Sequence, residues 1–459
     1  MGDLISGDVP EHWDFTTLGE VCQRGGGHIQ TGPFGSQLHA ADYVSVGVPT
    51  IMPTNIGENR IVENGIMRIT EADANRLGQH RLKVGDIVYS RRGDVEKRAL
   101  IREREEGWFC GTGCLKVRLG AGVVDPLFVS LYLGHPSIKE WIARHAVGAT
   151  MPNLNTTIMS NVPFAFPPLP EQKAIAHILG TLDDKIELNR RLNVTLEAMA
   201  RALFQSWFVD FDPVRAKLDG RKAVGLDEET AALFPDKFQD SELGRIPEGW
   251  GIGCIGDIAV NSRQGIQPNH IAAYTPYIAL EHMPRRCVAL GDWNDSADVA
   301  SGKSVFRKGD ILFGKLRPYF HKVGVAPVDG VCSTDILILS TKSHEWFGFL
   351  LGHASSDALV QFTDIASTGT KMPRTNWGDI SSFKIVMPLK EVAVAFTRTI
   401  EPLVGRIIAN IHQSRLLAVL RDTLLPNLLS GEMPVRDSSS LYEQAVDGSV
   451  VTFAKVVSE

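Results

Sequence analysis

The amino-acid sequence contains an internal duplication, and this feature limits the folds that are open to the chain. Three segments recur in the same order: 10–13 with 247–250, 83–89 with 307–313, and 151–152 with 372–373. The offsets between matching starts are 247 − 10 = 237, 307 − 83 = 224 and 372 − 151 = 221, a slow drift in one direction. This period far exceeds that of a solenoid repeat, so each copy is a whole domain with a further segment.

Each copy is predicted to contain a mixed α/β domain. The Gly-Asp pairs at 85–86 and 309–310 precede short apolar runs, a pattern typical of a turn that leads into a buried strand. A further strand is predicted at 332–340, while 126–133 and 345–351 have the apolar spacing of helices.

A long helix is predicted after each domain. Residues 171–208 contain no proline, and apolar residues recur there at the a and d positions of successive heptads. The segment 391–425 repeats the pattern, and an offset of 221 (410 − 189) places Asn189 on Asn410. A polar a residue lowers stability but fixes register and partner, so we predict that the helices pair. The alternative is two amphipathic helices that pack separately on their own domains.

These patterns define the predicted interface and fold class. The a and d positions of the first helix are Ile175, Ile178, Leu182, Lys185, Asn189, Leu192, Leu196, Met199, Leu203 and Ser206. The main interface residues of the second helix are Leu403, Ile407, Asn410, Leu417 and Leu424. The predicted segments are domain 1–168, helix 169–208, polar connector 209–247, domain 248–388, helix 389–431 and tail 432–459. The predicted fold is α+β, with two mixed α/β domains separated by two long helices that form an antiparallel coiled coil, and an internal pseudo-twofold repeat.

The composition excludes several classes of protein. Hydrophobic residues make up 44% and charged residues 22% of the chain, which is typical of a globular protein and not of a disordered one. With 47 Lys and Arg against 53 Asp and Glu, the net charge of −6 means that any contact with nucleic acid must be local. The six cysteines form no C-x-x-C pair. The sequence has neither a signal-peptide pattern nor a membrane-spanning apolar run, so we expect a cytoplasmic location.

The catalytic motifs in this sequence are incomplete. The run 251–256 matches G-x-G-x-x-G but follows Trp250 and not a predicted strand, so it does not predict a dinucleotide site. Residues 302–304 resemble the end of a phosphate-binding P-loop, but position 297 is alanine where the first glycine should stand. We therefore expect no catalytic residue, no metal and no cofactor in this chain.

Local positive charge on loops is the first candidate for a functional site. Residues 300–325 carry six basic residues and one acidic residue, with aromatic residues among them, and the matching stretch of the first copy is also basic. Such loops suit contact with DNA phosphates and base edges. The alternative is a solvated cationic surface. The candidate DNA-binding residues are Arg91, Arg92, Lys97, Arg98, Lys303, Lys315, Arg317, Tyr319 and Lys322.

The second candidate consists of the two Met-Pro loops, at 148–155 and 367–376. Asn can form two hydrogen bonds with adenine, and Arg can do so with guanine. The alternative is that Met-Pro shapes a turn that returns the chain to the sheet. The candidate DNA-binding residues in these loops are Thr150, Asn153, Asn155, Lys371, Arg374 and Asn376.

Four longer motifs flank the predicted helices. They are Pro-Leu-Pro-Glu-Gln-Lys at 168–173, Ala-Leu-Phe-Gln-Ser-Trp-Phe-Val-Asp-Phe-Asp-Pro at 202–213, Asp-Ser-Glu-Leu-Gly-Arg-Ile-Pro-Glu-Gly-Trp at 240–250, and Leu-Leu-Pro-Asn-Leu-Leu-Ser-Gly-Glu at 424–432. With these motifs the chain resembles the specificity subunit of type I restriction–modification systems across nearly its whole length. One departure is the start of the second helix, where Lys-Glu-Val at 390–392 replaces the Glu-Gln pair.

The resemblance implies that the two domains are target recognition domains, each reading half of a split, asymmetric DNA sequence, with the helices as spacer. It also implies two modification subunits, which bind S-adenosylmethionine and methylate adenine N6. Two restriction subunits would use ATP and Mg²⁺ to translocate and cleave DNA in host defence. The chain itself would carry out no chemistry.

Two other classes of function remain open from the sequence. One is a nuclease or methyltransferase with an unrecognised catalytic site, which would bind S-adenosylmethionine or cleave DNA with a metal. The other is a repeat-built protein-interaction scaffold, whose lack of salt-dependent duplex binding would separate it from a DNA-binding protein.

Overall fold

The structure is a computed structural model that describes residues 9–148, 151–297, 299–367 and 372–435. It divides into two compact units. The first unit combines residues 1–184 with 417–459, and the second comprises residues 185–416.

Ten strands lie in the described part of the first unit. They are β1 Asp14–Thr17, β2 Gly26–Thr31, β3 Tyr43–Val44, β4 Val48–Ile51, β5 Met67–Ile69, β6 Ile87–Ser90, β7 Arg98–Leu100, β8 Phe109–Cys110, β9 Cys114–Gly120 and β10 Pro163–Phe166. The helices that begin in this unit are α1 Leu18–Arg24, α2 Glu71–Arg76, α3 Pro126–Tyr132, α4 Pro136–His145, α5 Thr156–Ser160 and the long α6 Leu169–Phe208.

The second unit repeats this succession of elements. It begins with α7 Asp212–Leu218, α8 Glu228–Ala232, β11 Phe238–Ser241, β12 Gly244–Pro247, β13 Gly251–Cys254, α9 Ile255–Ile258, β14 Ala259–Asn261, β15 Gln264–Ile266 and β16 Tyr277–Ile278. It continues with β17 Lys303–Phe306, β18 Ile311–Gly314, β19 Val323–Val325, β20 Gly330–Cys332, β21 Ile336–Thr341, α10 Phe347–Ala354, α11 Asp357–Ala366, α12 Trp377–Ser381, β22 Lys384–Met387 and the long α13 Lys390–Leu429.

The antiparallel sheets of the two units have the same topology, whereas their mixed sheets differ in strand order, because β5 pairs with β4 in the first unit and β17 pairs with β20 in the second. In the first unit, one antiparallel sheet has the order β2-β9-β6-β7, and a mixed sheet has the order β3-β5-β4-β8 with β4 and β8 parallel. In the second unit, β14-β21-β18-β19 is antiparallel, and β15-β17-β20-β16 contains the parallel pair of β16 and β20. The duplication seen in the sequence is therefore a duplication of the fold, as predicted.

The Gly-Asp turn leads into the central strand of each antiparallel sheet. The carboxylate of Asp86 accepts a hydrogen bond from Lys83 N at 2.9 Å, and Asp310 accepts one from Arg307 N at 2.7 Å. The preceding glycines have φ of +86° and +93°, a region that side chains with a Cβ disfavour. The strands that follow, β6 and β18, are buried along their whole length.

The segment predicted as a polar connector belongs to the core of the second unit, so that prediction is corrected. Phe211, Val214, Phe234 and Ile246 are buried in one cluster with Trp250. The reason is local spacing: apolar side chains on α7 and the β11–β12 hairpin are separated by exposed polar ones, so the average polarity of the segment hid its buried face.

The long helices pair in antiparallel fashion, as predicted. Within the second unit, Asn189 Nδ2 donates to Gln413 Oε1 at 2.9 Å, and Asn410 Nδ2 donates to Asn193 Oδ1 at 2.8 Å. Moving along α6 from residue 189 to 193, the partner on α13 moves back from residue 413 to 410, so the two helices run in opposite directions. Helix α6 has the predicted range, and α13 begins one residue and ends two residues inside its predicted range.

The predicted seam of α6 needs one correction. Leu192 and Met199, predicted at d positions, are exposed, whereas Asn193 and Trp207 are buried and Ala200 is half-buried. From Asn189 onward the predicted a positions therefore stay in the seam, whereas the d positions lie one residue later than predicted, at 193, 200 and 207. Of the other candidates, Ile175, Ile178, Leu182, Asn189, Ile407, Asn410, Leu417 and Leu424 are buried, and Leu196, Leu203 and Leu403 are half-buried.

Within the described ranges, none of the helices combines the length and the apolar character that crossing a bilayer requires.

The polar pair of Asn410 and Asn193 gives a test of how the helices are joined. We expect Asn410→Leu to lower the free energy of unfolding by ~1–3 kcal/mol, because it leaves the buried Asn193 Oδ1 without its donor. Changing both residues to Leu should cost less than the sum of the two single changes. Denaturant unfolding of the four proteins measures this coupling, and strictly additive losses would show that the pair contributes nothing.

Candidate nucleic-acid interface

Two loops that are distant in the sequence meet in the first unit. Leu154 N donates to Arg91 O at 2.9 Å, and Gly93 N donates to Pro152 O at 3.1 Å. Arg91 N is itself bonded to Gly113 O at 2.8 Å, which joins the loops to the turn before β9. We call residues 91–93 with 151–155 the first clasp.

The second unit contains the same arrangement. Thr375 N donates to Lys315 O at 3.0 Å, Arg317 N donates to Pro373 O at 2.8 Å, and Lys315 N donates to Asp335 O at 3.0 Å. Residues 315–317 with 372–376 form the second clasp. The two DNA-binding candidates drawn from the sequence, basic loop and Met-Pro loop, are therefore one structural feature in each unit.

A left-handed residue closes each clasp at the same place. Gly93 has φ of +78° and Arg317 has φ of +52°. For arginine this conformation costs roughly 1–2 kcal/mol, so the surrounding hydrogen bonds must hold it there. Among the described residues Arg317 Nε donates no hydrogen bond, and the guanidinium lies over Phe320 at 5.8 Å from the ring centre.

The side chains of the first clasp mix donors and acceptors. Arg92 is exposed, while Arg91 Nε donates to Leu154 O at 3.1 Å and its guanidinium lies 5.8 Å from the ring centre of Phe34. Asn153 is half-buried, and its Oδ1 accepts no hydrogen bond among the described residues. Nearby, Lys97 is exposed and forms an ion pair with Asp94 at 3.2 Å.

The second clasp presents mainly hydrogen-bond donors. Arg374 is exposed and its guanidinium lies 3.3 Å from the carboxylate of Asp335. A cleft of about 470 Å³ lies beside it, and its lining includes Arg263, Lys315 and Trp377. Tyr319 is also exposed. Arg263 was missed in the sequence, because a single arginine between two short strands carries no pattern that distinguishes it.

The clasps hold different residues at equivalent positions. The offset of 221 that relates the Met-Pro loops places Asn153 on Arg374. Each of these residues forms a β-bridge with the tip of its basic loop, Asn153 with Arg92 and Arg374 with Leu316. The same backbone frame therefore carries an amide in one unit and a guanidinium in the other.

Two predicted base-reading residues are occupied as helix caps. Asn155 accepts a hydrogen bond from Ile158 N at 2.8 Å at the start of α5, and Asn376 accepts one from Asp379 N at 3.2 Å at the start of α12. Asn376 also donates to the Asp379 carboxylate at 2.8 Å. Both side chains cap the N-terminus of a helix, so a structural role describes them better than base reading does.

Burial removes two further candidates from the surface. Arg98 is 6% exposed and donates through Nε to Ser130 O, and burial lowers its pKa. Lys303 is 7% exposed, and its ammonium is bonded to the carbonyl and hydroxyl of Ser301 at 2.9 and 2.7 Å. Neither side chain is available to a DNA phosphate, so the prediction of a contact is wrong for both.

Three other candidates have different outcomes. Lys322 is half-buried, its ammonium donates to Leu280 O, and burial lowers its pKa, so much of its bonding capacity is used inside the unit. Thr150 and Lys371 lie outside the described residues. Over the stretches of chain that the structure describes, no group of three or more His, Cys, Asp or Glu side chains is placed to hold a metal ion.

Comparison with known proteins agrees with this arrangement. Residues 10–198 match the family model of the type I restriction modification DNA specificity domain. The matched segment is similar to type I DNA specificity domains. It contains the first clasp, and the second clasp repeats its backbone frame in the second unit.

Similarity to specificity subunits extends over almost the whole chain. The MjaIX specificity subunit of Methanocaldococcus jannaschii is 24% identical, covering 94% of this chain and 96% of the relative. The HindI specificity subunit of Haemophilus influenzae is 26% identical over 84% of this chain and 95% of the relative. The fold is that of the type I S subunit from M. genitalium, with a TM-score of 0.53, 14% identity, and coverage of 92% and 96%. The resemblance to type I specificity subunits is confirmed, and the relatives on which it rests are specificity subunits, a non-catalytic class.

The caps can be separated from the base-reading candidates by mutation. We expect Asn376→Ala to reduce stability by ~0.5–2 kcal/mol, because α12 loses its N-cap, while the preference for a DNA sequence stays unchanged. Asn376→Ser keeps a capping oxygen and should restore most of the lost stability. Thermal unfolding and duplex binding measure the two effects. An altered sequence preference in Asn376→Ala with unchanged stability would contradict the assignment.

Proposed function

We propose that this specificity subunit recognises a split, asymmetric DNA sequence, with one half read by each clasp. The observation that carries the proposal is the pair of clasps, which share their backbone hydrogen bonds but differ in the side chains they present. One backbone frame with two sets of side chains suits two different half-sites.

The chemistry of each clasp supports base reading. Arg374 in the second clasp can donate two hydrogen bonds to guanine, and Asn153 in the first clasp can pair its amide with adenine. Exposed cations beside them, such as Arg92 and Lys97, suit the phosphate backbone, whose contacts position a protein without specifying sequence. The chain as a whole is acidic, so contact with DNA phosphates would depend on local cations such as these.

The activity of the system would belong to partner subunits. We propose a complex with two modification subunits, which bind S-adenosylmethionine and methylate adenine, and two restriction subunits, which use ATP and Mg²⁺ to cleave DNA. No cofactor is assigned to this chain, and the complex would act in the cytoplasm.

One face of α6 supports the binding of a partner subunit. Leu188, Leu192 and Met199 are apolar and exposed, and their spacing of four and seven residues places them on one side of the helix. We call these three residues the α6 stripe. An exposed apolar stripe on a helix is suited to packing against another helix.

The proposal is tested by single-molecule methylation sequencing of host DNA with and without the gene for this chain. A split, asymmetric, adenine-methylated motif that disappears with the gene would establish the function. Persistence of every methylated motif would overturn it where the modification subunits are shown to be expressed. Cleavage or S-adenosylmethionine binding by the isolated chain would favour an enzyme, and duplex binding without salt dependence would favour a protein scaffold.

The same sequencing tests the role of Arg374. We expect Arg374→Ala to relax the motif at one position of one half-site, because a two-bond contact discriminates between bases by ~1–3 kcal/mol. Lys308→Ala is the matched control, since Lys308 is an exposed cation in the turn before β18 whereas the clasp follows that strand. An unchanged motif in Arg374→Ala, or the same change in both variants, would show that Arg374 does not read a base.

The α6 stripe gives a separate prediction about the partner subunits. We expect Leu192→Glu to reduce co-purification of modification subunits by roughly tenfold or more, because a carboxylate would be buried in an apolar contact. Val194→Glu changes an exposed apolar residue on another face of α6 and should leave assembly intact. Equal losses in the two variants would indicate damage to the helix and not to an interface.

A further inference from the structure

An exposed methionine stands at the same place in both clasps. Met151 is 61% exposed and Met372 is 51% exposed, and the two are related by the offset of 221. A single exposed apolar side chain needs no explanation. Two at matching positions do, because the neighbouring residues have changed from Asn153 to Arg374 and from Arg92 to Leu316.

The backbone holds each methionine in place. The proline that follows it accepts a hydrogen bond from the basic loop, from Gly93 N to Pro152 O and from Arg317 N to Pro373 O. The fixed φ of proline further restricts the chain at this point. Each methionine therefore directly precedes a proline whose carbonyl is bonded to the basic loop of the clasp.

The surroundings of the two methionines identify the occupant. Arg91 and Arg92 lie in the same clasp as Met151, and Lys315, Arg317 and Arg374 lie in the same clasp as Met372. A protein partner that covered the methionine would also have to neutralise these cations, whereas the DNA duplex offers phosphates and apolar base faces together. An apolar side chain set among cations is the combination that separates neighbouring base pairs in a duplex.

We infer that Met151 and Met372 act as wedges that insert into the base stack, each opening one base step in its half-site. The inference rests on the proposed function, since it requires the clasps to meet DNA. Unstacking one step kinks the duplex and lowers the work of extruding a nearby base. The wedge would thus prepare the target adenine for a partner methyltransferase, while the polar residues of the clasp select the sequence.

The test uses the full chain with its modification subunits, and duplexes that carry the motif defined by methylation sequencing. The probe is 2-aminopurine, an adenine analogue that fluoresces when it is unstacked, placed in turn at the adenines of either strand in and beside each half-site, other than the methylated adenine. We expect one position in each half-site to brighten on binding. Met151→Ser should abolish the increase in one half-site and Met372→Ser in the other, with affinity reduced about tenfold, which corresponds to ~1.4 kcal/mol.

Two further variants serve as controls. Met67→Ser alters a methionine on β5 that is 42% exposed and lies outside both clasps, so it should leave fluorescence and affinity unchanged. Met151→Leu keeps an apolar side chain and should retain the signal, which separates loss of the wedge from damage to the loop.

The outcomes distinguish the inference from the function on which it rests. Specific binding by the wild-type complex with no brightening at any position would overturn the wedge and leave DNA recognition intact. Brightening that persists in both serine variants would do the same. Failure of the wild-type complex to prefer its motif would overturn both proposals.

Discussion

A buried layer of polar side chains determines the register in which the two long helices pair within the second unit. Asn189 bonds to Gln413 at 2.9 Å and to Ser414 at 3.3 Å, and Asn410 bonds to Asn193 at 2.8 Å. A helix pair held by apolar residues alone can slide by one turn at modest cost. Sliding would leave these buried amides without partners, each at ~1–3 kcal/mol, so the layer selects one alignment.

The hydrogen bonds of this polar layer are related by the pseudo-twofold symmetry of the sequence repeat. The offset of 221 converts Asn189 into Asn410 and Asn193 into Ser414 (189 + 221 and 193 + 221), so the contact from Asn189 to Ser414 is the image of that from Asn410 to Asn193. Domain packing on the helices has not kept this symmetry. In the second unit the buried Glu197 of α6 accepts from Val288 N at 3.1 Å and from Ala289 N at 3.0 Å, whereas the image of Glu197 on α13 is Ala418.

Much of the fold could be predicted from the sequence, because the decisive patterns are local or repeated. The Gly-Asp turns, the range of α6 and the pairing of the helices follow from spacing within a few tens of residues. The phase of the α6 seam was wrong because a 3.5-residue repeat and a 3.6-residue helix diverge over several turns, which brought Asn193 inward in place of Leu192. The buried face of the segment that follows α6 was hidden by its average polarity.

The candidate site was less predictable, because side-chain burial depends on contacts between distant segments. Arg98 and Lys303 are as cationic in the sequence as Arg92 and Arg374. Nothing local shows that Arg98 donates to the distant Ser130 O, or that β17, which begins at Lys303, pairs with β15 and β20. The sequence also could not predict that the basic loops join the Met-Pro loops. Those hydrogen bonds are made by backbone groups, which are nearly the same for every residue type.

The use of backbone groups in the clasps bears on how such a chain can change its target. The hydrogen bonds from Leu154 N to Arg91 O and from Thr375 N to Lys315 O survive any substitution that keeps the backbone path. The residue that follows the proline of each Met-Pro loop can therefore be Asn153 in one unit and Arg374 in the other, while the backbone hydrogen bonds are kept. Stability resides in the backbone frame and the helix layer, and specificity in side chains that contribute little to either. Because these two sets of residues are separate, the proposed reading of two different half-sites requires only that one domain be duplicated and that the clasp side chains of its copy change.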